Sequence, residues 1–560
     1  MRKTLWMGAL AGFLSSLVVM AISYLGNAVL GLPFLPFDLF GWLTRILPGP
    51  LIDFVIRTMV SIITALNLGP IDTSAKLAEQ LQGLVIVAVT GALFGVVLAW
   101  IGQRRPAWLT RAGLVGGLIL WIGMAIAELA LPQTPVGVFA SVVWLLVLLA
   151  GWGWELARLI EGIYGPAPVT LPEPVPETAT SEPIPANVIP RRNFLILAGA
   201  SAASLAVLVL GFVRIRSAAA GAIVPATGGG SAPLPTQPPT LPYGPQYTSG
   251  PAASPSLDIL NKRIDPAPGT RPEITPANKF YRIDINDFPP AVDAATWKLK
   301  LTGLVDKPLN LTLDDIRSRP SVTQALTMSC ISNPVGGDLI STNFWTGVPF
   351  KDILAEAGLQ PTATGISITA ADGFYEYVPM QEAMDARTLL VYAMNGDPLS
   401  AAHGFPLRIY IPNHYGMKQP KWITNMEVVN HPTSGYWVDR GWSETAIPQT
   451  TSVIDTVKVD ENELALNGKM LLGGIAWAGE RGISKVEVQI DGAPWVEAEL
   501  RHPTISPLTW VQWRYDWQPT AGSHTVQVRA TDGTGALQTS VATEPAPEGA
   551  TGIDSVQISV

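Results

Sequence analysis

Four long apolar stretches near the N-terminus constrain the fold of this 560-residue chain more than any other feature. They lie at about 5–30, 81–102, 113–131 and 136–158, and an α-helix needs roughly 20 such residues to cross a bilayer. A fifth stretch, 194–213, follows a segment rich in Pro and Glu. We therefore predict an α-helical transmembrane region over 1–164, a Pro-rich linker over 165–190 and a separate anchor over 191–216.

The charges beside these stretches predict their orientation. Segment 51–68 is apolar but carries Asp53 and Arg57, so we expect it to lie at the membrane interface or to re-enter the membrane. Arg2 and Lys3, and the arginines of 104–111, favour cytoplasmic ends. Both groups of basic residues can be cytoplasmic only if segment 51–68 does not span the membrane. The linker 165–190 is then cytoplasmic, and everything after 216 is on the extracytoplasmic side of the cytoplasmic membrane.

The stretch "RRNFLILAGASAASL" resembles a twin-arginine export signal, which carries folded domains across a membrane. It departs from the usual pattern because it is internal and follows Pro190. The alternative is that two arginines mark the cytoplasmic end of a helix. Both interpretations place the C-terminal half outside.

Composition narrows the classes of function. The net charge of −8, without basic clusters in the second half, excludes a nucleic-acid partner. All five histidines lie beyond residue 400, and the only cysteine is Cys330. A membrane haem needs axial ligands such as histidine, and an iron–sulfur cluster needs thiolates. We therefore expect neither group in this chain, and predict that the membrane region is an anchor or a docking surface.

The second half alternates short strands with short helices. Residues 217–256 are rich in Gly, Pro and Ser and predict a flexible linker. From 257 to 445 the pattern is α+β: "TLDDIRSRP" predicts a short helix capped by Thr312, and "PFKDILAEAGL" one that ends at Gly358. From 446 to 560, short strands separated by turn signals predict an immunoglobulin-like (Ig-like) β-sandwich.

Cys330 lies in "LTMSCISNPVGG", between a β-type run and a Pro/Gly turn. A single thiol cannot form an intramolecular disulfide. It can be a buried apolar residue, a nucleophile or a metal ligand, and the residues alone leave these alternatives open.

Three ordered blocks carry a resemblance: "LTMSCISNPVGGDLISTNFWTGVPFKDILAEAGL", "LLVYAMNGDPLSAAHGFPLRIYIPNHYGMKQPKWITNMEVV" and "GIAWAGERGISKVEVQIDG". They resemble the sulfite oxidase family of molybdopterin enzymes, from about 270 to the C-terminus. The resemblance implies a molybdenum–molybdopterin cofactor and a C-terminal domain of a kind that often forms homodimers. It also implies that Cys330 is the metal ligand, a role that suits a soft anionic sulfur.

The resemblance further implies the residues that hold the cofactor. The pterin and its phosphate need cations and hydrogen-bond donors of fixed geometry. The backbone around 416–418 is expected to add amide contacts. The matching cofactor-binding positions are Asn278, Tyr281, Arg282, His403, Arg408, Lys418 and Lys421.

The predicted substrate side departs from the family pattern. Pro334 stands where the family has an arginine that holds sulfite, and a family active-site tyrosine falls at or near Trp442. Losing one charged hydrogen-bond partner costs about 1.5–3 kcal/mol, so sulfite is doubtful as the physiological substrate. Arg440 is expected to pair with an anion, which makes the predicted catalytic set Cys330, Arg440 and Trp442. Residues Asp372 and Tyr375 are expected to line the pocket.

These patterns predict a membrane-anchored molybdenum oxidoreductase of sulfite oxidase type. It would transfer an oxygen atom to or from a small substrate and exchange electrons with a separate carrier such as a cytochrome. One alternative is an S-oxide or N-oxide reductase of the same family. The other is a non-catalytic, membrane-tethered Ig-like binding module.

Overall fold

The computed structural model describes residues 2–66, 68–131, 136–164, 196–210, 263–286, 288–456, 465–466 and 469–560. The chain divides into two compact units. The first comprises Met1–Leu47 and Lys76–Gly221, and the second comprises Pro48–Ala75 and Ala222–Val560. The predicted linkers 165–190 and 217–256, and the arginine pair of the export-like signal, lie outside the described residues.

Long helices make up the described part of the first unit. In chain order the helices are α1 (Arg2–Leu30), α2 (Leu35–Ile46), α3 (Gly49–Ala65), α4 (Ile71–Arg104), α5 (Leu109–Ala130), α6 (Val138–Tyr164) and α7 (Ile196–Leu210). Of these, α3 and the first residues of α4 belong to the second unit. Four stretches are long and apolar enough to cross a membrane: Leu5–Leu30, Ile71–Arg104, Pro106–Ala130 and Val138–Gly162. They confirm the four predicted apolar helices. Of the anchor predicted over 191–216, the structure describes Ile196–Leu210, and the anchor remains a prediction.

Small residues let these helices pack closely. A Cβ atom on Gly12 would collide with the carbonyl oxygen of Gly91, so α1 and α4 meet backbone to backbone. Such contacts suit helices that associate without a hydrophobic driving force. The indole of Trp152 on α6 donates to Ser15 Oγ on α1 over 2.9 Å, which satisfies a buried polar group.

Two β-sheets with short helices between their strands form the first part of the second unit. One sheet has the order β2-β1-β10-β5-β6, with β1 and β10 parallel. The other has the order β3-β4-β7-β8, and β9 pairs with β7. The strands are β1 (Leu299–Gly303), β2 (Leu309–Leu311), β3 (Val322–Ser329), β4 (Ile340–Pro349), β5 (Gly365–Ala370), β6 (Tyr375–Pro379), β7 (Leu389–Met394), β8 (Asp397–Pro398), β9 (Arg408–Tyr410) and β10 (Ile423–Val429), with short helices α8 (Leu313–Arg317), α9 (Phe350–Ala357) and α10 (Met380–Ala383).

The core of this part follows the period-two alternation of its strands. Leu299 and Leu301 of β1 are fully buried, while Lys300 between them is exposed. They belong to one cluster with Phe350 of α9 and Ile409 of β9. Because this core fixes both sheets, the loops at their strand ends have defined positions. The arrangement confirms the predicted α+β class.

Two further sheets end the chain. Their orders are β11-β13-β17-β16, with β12 paired to β13, and β15-β14-β18-β19. Leu472 and Trp513 of the first sheet pack with Val486 and Val526 of the second, as in a β-sandwich. The immunoglobulin-like topology and a homodimer interface remain predictions. The strands are β11 (Thr451–Ile454), β12 (Ala465–Leu466), β13 (Lys469–Trp477), β14 (Ile483–Ile490), β15 (Val496–Glu497), β16 (Glu499–Leu500), β17 (Val511–Trp517), β18 (Ser523–Asp532) and β19 (Asp554–Ser559).

One histidine should make the stability of this sandwich depend on pH. His524 Nδ1 lies 2.6 Å from Asp491 Oδ2 and Nε2 lies 2.9 Å from the Thr520 carbonyl, so both ring nitrogens face acceptors. These hydrogen bonds, chiefly that to Asp491, raise the pKa of His524 above its ordinary 6.5. A raised folded pKa stabilises the protein below the unfolded pKa, and the stabilisation is lost as pH rises through the folded pKa.

We therefore expect His524→Gln to lower the thermal unfolding midpoint of the full chain more at pH 5.5 than at pH 8.5. Differential scanning calorimetry of both proteins at the two pH values measures the difference. An equal loss at both pH values would contradict a charged histidine in the folded state.

Candidate active site

The candidate site begins at Cys330, the residue that follows β3. Its amide donates to the Leu339 carbonyl over 2.9 Å, and Asn333 Oδ1 accepts from the Leu339 amide over 2.9 Å, so the 331–339 loop is closed on itself. The thiol is 8% exposed, and Sγ lies 3.0 Å from Ser332 Oγ. Burial raises the pKa of the thiol, so its thiolate requires a positively charged neighbour.

Tyr281 lies within electrostatic reach of Cys330 and also of Arg408. Burial raises the pKa of this phenol, the Cys330 thiolate raises it further and the Arg408 guanidinium lowers it. A Cβ atom on Gly416 would lie 2.7 Å from Tyr281 Oη, so only glycine lets the 416–418 turn come this close. The turn therefore lies against Tyr281, and its contacts with the cofactor remain a prediction.

Arg408, the first residue of β9, supplies a buried positive charge. It is 4% exposed, and its guanidinium lies 4.8 Å from the centre of the Trp345 ring. Nη1 donates to the His403 carbonyl over 3.3 Å and Nη2 to Met328 Sδ over 3.4 Å. Within the described part of the chain, Nε has no hydrogen-bond partner and no carboxylate pairs with this guanidinium.

The charge of Arg408 therefore calls for an anion. Burial lowers its pKa to about 10, which still leaves the guanidinium charged at neutral pH. An uncompensated buried charge costs several kcal/mol. An anionic cofactor group would offset that cost, and the lone Nε–H offers it a donor.

His403, at the end of a 3₁₀ turn, is neutral. Burial and the nearby Arg408 lower its pKa to about 4. Nε2 lies 3.2 Å from the Ala277 carbonyl, so we place the proton on Nε2, which leaves Nδ1 as an acceptor. The ring also meets Phe280 edge to face at 5.5 Å. These contacts hold the 277–282 segment, including the exposed Asn278, against the His403 turn.

Lys421 and Arg282, both predicted to bind the cofactor, come together on one buried carboxylate. Both side chains form ion pairs with Asp284, whose own side chain is fully buried. Two cations on one carboxylate leave a formal charge of +1. Sequence reasoning missed Asp284, and its place in "YRIDIN" gives no signal of the contact with Lys421, 137 residues away.

Lys418 pairs with a carboxylate that sequence reasoning also missed. Its ammonium donates to Glu376 Oε1 over 2.8 Å, and both side chains are buried. Glu376 also fills the space beside Gly435, where any Cβ atom would collide with its carboxylate. A signal was present: in β6 the alternation puts Glu376 on the same buried face as Val378.

The predicted catalytic residues Arg440 and Trp442 lie on one loop but in different surroundings. The Arg440 guanidinium stacks 3.6 Å from the centre of the Tyr436 ring, and Nη1 donates to the Tyr436 carbonyl over 2.7 Å. Trp442 is buried in an apolar cluster that includes Ile331 and Tyr415. That packing places Trp442 in one cluster with Ile331, the residue after Cys330, and gives it a structural role. Its catalytic role remains a prediction.

The other residues named on the predicted substrate side lie in loops or at the start of a strand. Pro334 is half-buried in the 331–339 loop, and its carbonyl accepts from the Gly337 amide over 3.0 Å. Tyr375 Oη donates to Asp439 over 2.5 Å, next to Arg440. Asp372 is buried and caps its own turn by accepting from the Phe374 amide over 3.0 Å.

Comparisons with known proteins show what the chain is similar to. Residues 286–437 match the family model described as oxidoreductase molybdopterin binding domain. Mitochondrial sulfite oxidase of Rattus norvegicus is 28% identical over 328 residues, which are 50% of this chain and 60% of that protein. The uncharacterized oxidoreductase YuiH of Bacillus subtilis is 32% identical over 165 residues, 29% of this chain and 80% of that protein.

Among solved structures, the sulfane dehydrogenase SoxCD of Paracoccus pantotrophus aligns with a TM-score of 0.46 and 22% identity, covering 59% of this chain and 97% of that one. This chain spans about 60% of the length of the mammalian sulfite oxidases that it matches.

The matched region is a molybdopterin-binding oxidoreductase domain, which confirms the predicted class of domain and its cofactor. The chain belongs to the sulfite oxidase family.

The buried Lys418–Glu376 pair generates a stability prediction. Removing one partner of a buried pair typically costs 3–5 kcal/mol, whereas exposed pairs contribute about 0–1 kcal/mol. We expect Lys418→Met to lower the free energy of unfolding by about 3–5 kcal/mol. The double variant Lys418→Met with Glu376→Leu should recover most of the loss, because no unpaired charge remains.

Denaturant unfolding of the full chain in detergent measures both variants, with Lys485→Met as the control. Lys485 pairs with Glu487 at the surface, where its side chain is 39% exposed. Similar losses for Lys418→Met and Lys485→Met would show that the buried pair has no special weight.

Proposed function

We propose that this protein is a membrane-anchored molybdenum-cofactor oxidoreductase of sulfite oxidase type, acting on a small substrate. The observation that carries the proposal is the buried, unpaired guanidinium of Arg408, which lies within reach of Tyr281, itself within reach of Cys330. A non-catalytic binding module would gain nothing from such a buried charge, whereas a site for an anionic cofactor would use it to bind the anion.

Named residues would hold the cofactor. The Cys330 sulfur would bind the metal, Arg408 would neutralise the anionic group, and His403 would accept a hydrogen bond through Nδ1. The other contacts fall to Asn278, Tyr281, Arg282, Lys418 and Lys421. When bound, the cofactor supplies oxygen-atom transfer coupled to two electrons.

The chain's own contribution on the substrate side is orientation by charge. Arg440 keeps its guanidinium in place by stacking on Tyr436, a contact worth about 0.5–2 kcal/mol. A substrate oxygen would be held by this guanidinium, which also interacts with Tyr375 and Asp439. Pro334 adds no second cation, which favours a substrate less dependent on two guanidinium groups than sulfite. The alternative of an S-oxide or N-oxide reductase follows from the same observation.

The membrane helices supply the anchor in this proposal. The four helices that are long enough to cross a membrane precede the linker, and the twin-arginine-like stretch with the helix after it would deliver the catalytic half to the extracytoplasmic side of the cytoplasmic membrane. Electrons would pass to or from a separate carrier such as a cytochrome. The C-terminal sandwich is the proposed homodimer surface.

Metal analysis tests the proposal. We expect about one molybdenum per wild-type chain, because the sequence has one cysteine, Cys330, to serve as the thiolate ligand. In Cys330→Ser the number of sulfur ligands measured by X-ray absorption should fall by one, and in Arg408→Gln the pterin content should fall. Arg529→Gln, which changes an arginine paired with Glu487 on the sandwich, is the matched control. Wild-type protein purified without molybdenum or pterin would favour the non-catalytic binding module.

Arg440 generates a kinetic prediction. Losing one charged hydrogen bond costs about 1.5–3 kcal/mol, so Arg440→Gln should raise KM for an oxyanion such as sulfite by about 10- to 150-fold. KM for a neutral S-oxide should change much less, because that substrate has no net charge to neutralise. Steady-state kinetics of the wild-type protein and of Arg440→Gln, each with both substrates, measures the difference between the two changes in KM. Equal changes for the two substrates would contradict the charge-pairing role.

A further inference from the structure

Residues 48–75 lie between the helices of the first unit in sequence, yet they belong to the same compact unit as the catalytic half. They comprise α3, a short connection and the first residues of α4. A segment that only linked two membrane helices would need no contacts with the catalytic half. This segment has several.

The segment contacts three loops that flank the candidate site. The Ile71 amide donates to Asp338 over 3.2 Å, and Asp338 lies in the loop that follows Cys330. Asp72 accepts from the Arg282 amide over 3.1 Å, directly after Tyr281. At the other end, α3 contacts the 3₁₀ turn Val438–Arg440.

The contact at that turn requires glycine. A Cβ atom on Gly49 would lie 2.7 Å from the Arg440 carbonyl oxygen and 2.9 Å from its Cα. The start of α3 therefore rests directly on the backbone of the residue expected to orient the substrate.

The opposite side of α3 is an exposed apolar stripe. Leu51, Phe54, Val55 and Ile62 are 45%, 64%, 39% and 49% exposed and recur at helical spacing. The exposed Thr58 lies within the stripe, where its hydroxyl donates to the Phe54 carbonyl over 2.8 Å, and the exposed Arg57 and Ser61 border the stripe on one side. The residues Met59 and Ile63 are buried. Soluble surfaces rarely expose such a stripe, whereas helices that lie in a membrane interface have one.

We propose that α3 docks in the surface of the lipid bilayer through this stripe, while the two ends of segment 48–75 hold the loops beside the candidate active site. This inference rests on the membrane anchoring proposed above. The occupant is lipid because the chain joins α3 to a helix long enough to cross a membrane only six residues later, at Ile71. A helix of 17 residues with an arginine in its middle suits the interface better than a crossing.

The docking has a consequence for the reaction. The Arg440 turn touches α3, and the loop after Cys330 and the segment after Tyr281 touch the first residues of α4. All three therefore touch segment 48–75, which the bilayer would hold through α3. The position of the substrate loop would then depend on the membrane. A partner that approaches along the membrane surface would reach this element first.

Spin labels test the docking, because the single native cysteine is buried and leaves introduced ones open to selective labelling. The full-length holoenzyme is reconstituted in phosphatidylcholine–phosphatidylglycerol vesicles with a label at Phe54→Cys or Ile62→Cys. Val541→Cys, 66% exposed between β18 and β19, is the matched control. Val89→Cys on α4, 52% exposed, reports on the bilayer.

We expect the labels at 54 and 62 to collide more with lipid-soluble oxygen than with a water-soluble nickel complex, and the label at 541 to show the reverse. Labels at 54 and 62 that behave like 541 would overturn the inference, and so would labels shielded from both reagents, which would indicate a protein cover. If the label at 89 is in lipid during such a failure, only the docking is wrong. If it is in water, the membrane anchoring itself fails.

A second variant tests the link to the substrate loop. Gly49→Val should displace the Arg440 turn, and misplacements near 1 Å can cost up to about 100-fold in rate. We expect KM for an oxyanion substrate to rise on the order of tenfold, with KM for a neutral S-oxide little changed, as for Arg440→Gln. Gly162→Val, where nothing lies within 4 Å of an added Cβ atom, is the control. Identical kinetics for the two glycine variants would overturn the link.

Discussion

The buried charge of Arg408 is the constraint on which the site depends. Each of the other cations predicted to bind the cofactor pairs with a carboxylate. Arg282 and Lys421 pair with Asp284, and Lys418 pairs with Glu376. Among the residues that the structure describes, Arg408 has only carbonyl and sulfur acceptors and the face of Trp345. The need for an anion is therefore concentrated at one point of the fold. A solvated cation would have made no such demand, because water would have satisfied it.

Close backbone contacts turn this charge into a site. Gly416 lets the turn before Lys418 reach Tyr281, and Gly435 makes room for Glu376. Glu376 thus touches both the turn expected to bind the cofactor and the loop that leads to Arg440. Since β6 fixes the backbone of Glu376, one strand sets the spacing between the two halves of the site. Rigid sheets with functional loops at their ends are the usual way to hold such a geometry.

The features that the sequence predicted correctly are local ones. Length and apolar content identified four helices, the Thr312 cap starts α8 with a capping box, and Gly358 ends α9. The resemblance of three blocks placed the cofactor domain. Asp284, Glu376 and the contact of Asp338 with Ile71 escaped prediction because each joins residues far apart in the chain, up to 267 positions. Trp442 shows the converse: its loop was found, but packing against Ile331 is decided by the tertiary fold.

On the substrate side, the predicted anion-binding charge is held in place by several contacts. Arg440 is the predicted anion-binding residue, and its guanidinium uses one face on Tyr436 and one N–H on the carbonyl of the same residue. Its backbone meets Gly49, so the turn is held from inside the catalytic half and from the segment beside it. In the proposed role this guanidinium would act on a substrate oxyanion through both its charge and the fixed directions of its N–H groups. Because Pro334 supplies no second cation, the substrate preference proposed above would depend on the position of the Arg440 turn.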